Sequence, residues 1–149
     1  MPFYWTSKTK HRFVFFRPEI EKIFLKDFNY LTPANSFKQT IIHPKPDVWS
    51  WNRYNDFIDF ANENDLFLRV HGPISPQASK WVKDDLRTKE ELSIILEEYL
   101  TELCKKVNKE KSVKWMDVVN ETVLRNGNWF AEKPGNNQWE NPWTQIGIN

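Results

Sequence analysis

The sequence has little that would crosslink, anchor or export a protein. Its one cysteine, Cys104, cannot form an internal disulfide. No apolar run approaches the roughly 18 residues that a membrane span requires. The basic residues Lys8, Lys10 and Arg12 precede only a short apolar stretch at residues 13–16, whereas a signal-peptide core needs about 7–15 residues. We therefore expect no disulfide framework, no membrane span and no export signal in the chain.

An excess of charge of one sign is also lacking, because 21 basic and 20 acidic residues leave a net charge of +1. Such a balance provides no field that attracts nucleic acid or an anionic membrane, so neither is an expected partner. The 4 glycines form no dinucleotide or phosphate fingerprint. No spacing of His, Cys, Asp and Glu resembles a metal site, and no Ser or Cys nucleophile lies in an activating motif. We expect no cofactor and no metal.

Aromatic residues, in contrast, are abundant: they make up 15% of the 149 residues, with 8 Trp and 11 Phe. Together with a hydrophobic fraction of 40% and a charged fraction of 28%, they can fill the core of one domain of ordinary size. Most Trp side chains fill cores or loops, although an indole facing a cleft can also stack on a sugar.

Helical and strand patterns alternate along the chain. Pro18 suits the first turn of a helix, and apolar residues at steps of three and four predict helices near residues 50–64 and 89–107. Thr88 and Glu91 form a capping box before the second of these. Strands are predicted near residues 29–32, 66–71 and 113–119, with Gly72-Pro73 ending the second; residues 1–16 remain unassigned, and residues 34–50 and 125–149 are predicted loops.

Polar side chains follow the predicted strands at the points where the strands end. The alternation of strands and helices indicates parallel βαβ units, and the catalytic residues of a (β/α)8 barrel lie at the carboxyl ends of its strands. The pattern therefore predicts an α/β fold in which several polar residues meet at one rim. These residues are Asn35, Lys38, His71, Asn120 and Glu121.

Each of these residues also has an ordinary structural explanation. Glu121 at a strand end can be a helix cap or a rim salt-bridge residue, and His71 can be a hydrogen-bonded core histidine. Asp117 lies within the third strand, where an unpaired charge is expensive, so we expect it to have a partner. The third strand itself is expected to be fully buried.

Three motifs, read together, resemble glycoside hydrolase family 10, the endo-1,4-β-xylanases. Trp115-Met-Asp-Val-Val-Asn-Glu121 is similar to the strand-four signature of that family, and Thr32-Pro-Ala-Asn-Ser-Phe-Lys38 is similar to its strand-two motif. Arg69-Val-His71, followed ten residues later by Trp81, resembles its strand-three segment. The resemblance covers residues 28–130 and implies a partial (β/α)8 TIM barrel, from strand one or two to strand four.

The resemblance also implies a role for each matching residue. Glu121 corresponds to the general acid/base, and Asn120 to the residue that contacts the sugar 2-hydroxyl. His71 corresponds to the histidine that lines the subsite of the sugar being cleaved. Asn35 and Lys38 correspond to sugar-binding residues at the glycone end. Trp81 is a further substrate-binding candidate, and the implied substrate is xylan or a related β-1,4-glycan.

Several positions depart from the family pattern. Ala34 and Ser36 stand where glutamates are common, and Met116 replaces a Trp. Ser75 and Pro76 occupy the region where the family supplies a second His and a Trp. These differences predict altered specificity on the glycone side, so plain xylan need not be the substrate.

The chain is also short for a barrel, which needs about 250 residues. The family nucleophile, a Glu at the end of strand seven, would lie beyond Asn149, and neither Glu132 nor Glu140 matches it. We therefore expect residues 1–149 to be a truncated catalytic domain that is inactive alone. A partial barrel exposes strand edges and an apolar face, which favours self-association.

Two other functions stay open at this point. The chain can be a non-catalytic carbohydrate-binding protein that uses its Trp-rich rim, or a structural half that pairs with another chain to close a barrel. Reading the coding DNA past Asn149 for a strand-seven Glu would discriminate between these and the enzyme fragment. Family relatives are typically exported, so the resemblance implies an extracellular or periplasmic location.

Overall fold

The computed structural model of the protein describes residues 17–84, 86–131 and 140–147. The unassigned residues 1–16 and Glu132 lie outside these ranges. The elements follow in the order helix α1 (Pro18–Asp27), strand β1 (Tyr30–Leu31), helix α2 (Gln39–Ile42), helix α3 (Asn52–Glu63), strand β2 (Phe67–Ile74), helix α4 (Lys89–Val107), strand β3 (Val113–Val119) and a 3₁₀ helix (Pro142–Ile146).

The strands form one parallel sheet in the order β1-β2-β3. Parallel pairing requires a crossover between successive strands, and helices α3 and α4 lie in the two crossovers. The prediction of parallel neighbouring strands is thus confirmed. Because all three strands run in the same direction, their carboxyl ends meet at one edge of the sheet, which we call the carboxyl rim.

The predicted capping box starts helix α4 as expected. The Thr88 hydroxyl accepts a hydrogen bond from the Glu91 amide at 3.2 Å, and the Glu91 carboxylate accepts one from the Thr88 amide at 2.7 Å. These two bonds satisfy amides that would otherwise lack partners at the helix start. Pro18 occupies the first turn of α1, where its missing N–H costs nothing.

The hydrophobic core lies between the sheet and helices α3 and α4. Leu68 and Val70 of β2 are fully buried on the helix-facing side of the sheet. The 3₁₀ helix packs against α4 and places Trp143 in the same core. The helices contribute apolar side chains at the spacing that the sequence predicts, among them Tyr54, Phe57, Ile58, Ala61, Leu92, Ile95, Leu96, Tyr99, Leu103 and Val107.

The opposite face of the sheet is open, and the expectation of a fully buried third strand is wrong. Trp115 and Val119, which share one face of β3, remain 46% and 41% exposed, and Val118 on the other face is 45% exposed. No further strand pairs with β3 among the described residues. Tyr30 and Phe67 lie on the same open face, where both rings contact Trp115 edge-on. We call Tyr30, Phe67 and Trp115 the open aromatic face.

The structure differs most from the sequence prediction at one strand end and in two predicted loops. Strand β2 continues through Gly72-Pro73 to Ile74. A register shift against β3 between His71 and Ile74 accommodates Pro73, which has no N–H to donate to the neighbouring strand. The loop at residues 34–50 contains the short helix α2, and the predicted loop at 125–149 contains the 3₁₀ helix. None of the described helices has the length and apolar content to cross a membrane.

Candidate active site

Asn120 and Glu121 emerge at the carboxyl rim directly after β3. The Asn120 amide donates a hydrogen bond to the Ile74 carbonyl at 2.9 Å, which holds the end of β3 against the end of β2. Glu121 has φ of 58°, in the left-handed region that non-glycine residues seldom adopt. This backbone turn takes the chain away from the sheet, and it leaves the Glu121 carboxylate about half exposed at the rim.

Lys38 reaches this carboxylate from the loop that follows β1. Its side chain is only 3% exposed, and its ammonium lies 2.8 Å from Oε1 of Gln77 and 3.4 Å from Oε2 of Glu121. A buried ammonium needs acceptors of this kind to offset its lost hydration. The Lys38 amide also donates to the Asn35 carbonyl at 3.0 Å, so Asn35, which is exposed, lies in the same turn. The Lys38 side chain therefore spans the rim from the β1 side to the end of β3.

His71 is held by a carboxylate on the neighbouring strand. Its Nδ1 lies 3.2 Å from Oδ2 of Asp117, and Nη1 of Arg69 lies 3.6 Å from Oδ1 of the same carboxylate. His71 and Asp117 are register partners across β2 and β3. The expected partner for the Asp117 charge thus exists, and it fixes the orientation of the imidazole just below the rim.

Gln77 is a rim residue that sequence reasoning missed. Its side chain accepts from Lys38, and its amide donates to the Ser75 hydroxyl at 3.2 Å. No motif in the sequence marks Gln77. Gln77 lies in the loop after β2, which suggests a place near the rim. Every other residue of that loop has the same property, so the sequence does not single out Gln77.

Trp81 lies in a different set of contacts, centred on the backbone of His43. The carbonyl of His43 accepts hydrogen bonds from the Trp81 indole at 3.1 Å, the Ser79 hydroxyl at 2.9 Å and the Gln39 amide group at 3.0 Å. Oε1 of Gln39 accepts from the Ser79 amide at 2.6 Å. These bonds join the loop after β1 to the loop after β2, and they give Trp81 a structural partner. We call Gln39, His43, Ser79 and Trp81 the loop junction.

The His43 imidazole is itself buried among aromatic rings. It stacks on Trp49 with 4.1 Å between ring centroids and meets the edge of Trp81 at 4.8 Å. Neither ring nitrogen has a hydrogen-bond partner. Burial lowers the pKa of His43 by desolvating its charged form, while the carboxylates of Glu98 and Asp47 oppose that shift less strongly.

The structure thus brings Lys38, Asn120 and Glu121 together at the rim, with His71 beside them on β2. Asn35 lies at the start of the Lys38 turn, whereas the Trp81 indole donates its hydrogen bond within the loop junction. Within the described ranges, no group of three or more His, Cys, Asp or Glu side chains is arranged to hold a metal ion.

Parallel strands joined by helices, with polar side chains gathered at the carboxyl rim, form a partial α/β fold that agrees with part of a (β/α)8 barrel. The family model of "Glycosyl hydrolase family 10" matches residues 4–146. The chain therefore belongs to glycosyl hydrolase family 10, as the three motifs predict.

Individual relatives agree with this assignment. The chain is 35% identical over 127 residues to the β-1,4-xylanase of Dictyoglomus thermophilum, covering 85% of this chain and 33% of the relative. It is 36% identical over 119 residues to endo-1,4-β-xylanase A of Caldicellulosiruptor saccharolyticus, covering 72% and 34%. Xylanase 10B of Thermotoga petrophila RKU-1, solved with xylobiose, is 28% identical with a TM-score of 0.71, covering 93% of this chain and 40% of that one. The chain spans about a third of the length of these curated relatives.

Proposed function

We propose that this chain supplies the acid/base half of a retaining endo-1,4-β-xylanase, with Glu121 as the general acid/base. The substrate is xylan or a related β-1,4-glycan. The observation that carries the proposal is the 3.4 Å contact between the Lys38 ammonium and the Glu121 carboxylate at the carboxyl rim of a family 10 chain. Lys38 and Glu121 belong to two different motifs, residues 32–38 and residues 115–121, and the resemblance implies a functional role for each residue.

The proposed chemistry follows from the position of each side chain. Glu121 is half exposed, so its carboxyl group has access to a leaving glycosidic oxygen, which it protonates, and then to a water molecule, which it activates. Lys38 holds one carboxylate oxygen from the glycone side, and Asn120 binds the sugar 2-hydroxyl. His71, oriented by Asp117, lines the subsite of the sugar being cleaved, and Asn35 binds sugar further along the glycone side.

A retaining mechanism needs a second carboxyl group about 5–5.5 Å from the first to act as nucleophile. Asp117 is a poor candidate, because Arg69 and His71 already hold its two oxygens. We propose that the nucleophile comes from a later strand of the barrel, either in a longer polypeptide or in a second chain. Residues 1–149 by themselves are then one part of a catalytic domain without hydrolytic activity.

The test is to complete the barrel. The chain is joined to, or co-expressed with, the part of a family 10 xylanase that carries the remaining strands, strand seven included. Hydrolysis of xylopentaose is then followed by proton NMR of the new reducing ends. The proposal predicts hydrolysis in which the β anomer appears first. An initial α anomer contradicts a retaining mechanism, and the absence of hydrolysis by a folded, completed barrel contradicts the function. The variant Glu97→Gln, at an exposed carboxylate of helix α4 that matches no family motif, serves as control and retains activity.

Non-catalytic sugar binding by a Trp-rich rim has less support. The indole of Trp49 lies between the His43 ring and the Trp51 ring, which is 5.8 Å away, and the Lys106 ammonium lies 5.1 Å from the centre of the Trp51 ring. These faces of Trp49 and Trp51 are occupied by protein groups, so stacking on sugar would depend on Trp115 and Trp129, which are 46% and 52% exposed.

We also propose a location for the completed enzyme. Xylan is an extracellular polysaccharide, so the completed enzyme acts outside the cytoplasm, in the extracellular or periplasmic space.

A further inference from the structure

The backbone of β2 takes an unusual turn where Lys38 crosses it. Gly72 has φ of +63°, in the left-handed region that favours glycine, and it lies within the register shift between β2 and β3. Bulges of this kind re-aim neighbouring side chains and often occur beside active sites. Gly72 belongs to no motif that the family assignment explains.

A side chain at Gly72 would crowd two residues of the rim. A Cβ atom at Gly72 would lie 3.2 Å from Cε of Lys38 and 3.3 Å from both Cβ and Nδ2 of Asn120. Contacts this short force the neighbours to move by a few tenths of an ångström. Cε is bonded directly to the ammonium nitrogen of Lys38, and Nδ2 belongs to the side-chain amide of Asn120. A Cβ at position 72 would therefore displace the polar groups of both residues.

We propose that Gly72 is a positioning residue for Lys38 and Asn120. By lacking a Cβ, it opens a slot over the end of β2 through which the Lys38 side chain runs. The slot places the ammonium between Gln77 at 2.8 Å and Glu121 at 3.4 Å. The functional part of this inference rests on the proposed function, because that function gives Lys38, Asn120 and Glu121 their roles toward sugar.

The chain offers matched controls for the backbone effect. Gly127 and Gly147 have φ of +84° and +81°, and a Cβ at either position would meet no atom within 4 Å. Gly127→Ala therefore imposes a comparable left-handed strain without filling a slot. A difference between Gly72→Ala and Gly127→Ala isolates the steric role of position 72.

The first test needs no ligand. Lysine acetylation of the full chain by an N-hydroxysuccinimide ester is followed residue by residue by mass spectrometry. Lys38 should react slowly in the unsubstituted chain and in Gly127→Ala, and several-fold faster in Gly72→Ala. Lys83, which is also buried, reports general loosening of the fold and should keep its rate. If Gly72→Ala fails to fold, Gly72→Asn replaces it, since Asn tolerates the left-handed region but adds a Cβ. An unchanged Lys38 rate, or equal acceleration at Lys38 and Lys83, overturns the proposal.

The second test addresses sugar. In a calorimetric titration of the 149-residue chain with xylopentaose, the Gly72→Ala variant should bind the sugar several-fold more weakly than the Gly127→Ala variant. Equal affinities of the two folded variants contradict a positioning role toward sugar. If the completed barrel neither binds nor cleaves xylopentaose, the proposed function fails, while the acetylation result still decides whether Gly72 positions Lys38.

Discussion

The imidazole of His43 is fully buried between the rings of Trp49 and Trp81 and has no hydrogen-bond partner. Protonation would place a positive charge in this apolar environment, so burial lowers its pKa. Glu98 on α4 and Asp47 in the loop after α2 are the carboxylates that act on it, and both only partly offset the effect of burial. A side chain in this situation makes stability depend on pH.

We predict that the chain loses stability as the pH falls through the ordinary histidine pKa, 6.5. Below that pH the unfolded state binds a proton at His43 that the folded state does not bind, so acid favours unfolding. The loss levels off once the pH drops below the lowered pKa of the folded state. His43→Phe, which keeps an aromatic ring against Trp49, should reduce the difference in urea midpoint between pH 7.5 and pH 5.5.

His71→Gln serves as the control for this prediction, because His71 is partly exposed and paired with Asp117. The His71→Gln variant should therefore keep the part of the pH dependence of stability that comes from His43. An unaltered pH dependence in His43→Phe would show that other groups are responsible for the acid sensitivity.

Residue patterns predict part of the site and miss the rest for a physical reason. Glu121 comes just after β3, His71 lies within β2 and Lys38 lies in the loop after β1. Because parallel strands bring their carboxyl ends together, the order of strands and polar residues along the sequence predicts that these three side chains converge. Gln77 and His43 owe their places to loops that cross the rim. Loop paths depend on side-chain packing between segments distant in sequence, which spacing does not encode.

Helix α4 fixes the loop that carries Lys38. The Tyr99 hydroxyl donates to the Phe37 carbonyl, directly before Lys38, and both residues are fully buried. Burial raises the pKa of Tyr99 well above its ordinary value, so the hydroxyl keeps the proton that it donates. Helix α4 therefore holds the backbone of the rim loop in place.

We predict that Tyr99→Phe lowers the free energy of unfolding by about 1–2 kcal/mol, because it leaves the buried Phe37 carbonyl without its donor. Urea denaturation followed by circular dichroism measures the change. Tyr30→Phe, at a ring on the open aromatic face that is 45% exposed, should leave the unfolding free energy almost unchanged. Equal effects of the two substitutions would contradict the anchoring role of Tyr99.

At the scale of elements, the sequence predicts helices better than strand ends. The apolar face and capping box of α4 reproduce its observed limits, Lys89–Val107, because both signals are local. The continuation of β2 to Ile74 depends on the bulge against β3. A Gly-Pro pair ordinarily signals a stop, and only the pairing strand reveals that the chain stays extended.

The open aromatic face is the main feature of the whole molecule that departs from a closed barrel. Tyr30, Phe67 and Trp115 pack on one another and remain 42–46% exposed. β1 and β3 form the two edges of the described sheet. Exposed apolar surface beside unpaired strand edges favours association.

We predict that the isolated chain self-associates through this face in a concentration-dependent way. Sedimentation velocity should show that Trp115→Lys shifts the distribution toward the monomer. Ile94→Lys, at an apolar residue of α4 that is 65% exposed, should leave the distribution unchanged. A monomeric unsubstituted chain, or equal effects of both substitutions, would refute association through the open face.

The exposure of β3 could not be predicted from the sequence of the strand. Val113–Val119 is almost continuously apolar apart from Lys114 and Asp117, which is typical of a strand covered on both faces. Burial of such a strand needs neighbours on both sides, and the described residues provide a paired strand only on the β2 side. The apolar sequence of β3 therefore suits a strand inside a closed barrel, whereas the three described strands form an open sheet.

The role of Glu121 is tested most directly in the completed barrel by comparing two substrates that differ in leaving group. An acid catalyst matters most when the leaving group is poor, so Glu121→Gln should slow hydrolysis of unsubstituted xylo-oligosaccharides far more than hydrolysis of activated aryl β-xylobiosides. The measurement is kcat/KM for both substrates in Glu121→Gln and in the control Glu97→Gln, which should match the unsubstituted enzyme on both. A large, selective loss with the poor leaving group is the predicted result, whereas equal losses on the two substrates, or full activity of Glu121→Gln, would contradict the assignment of Glu121 as the general acid/base.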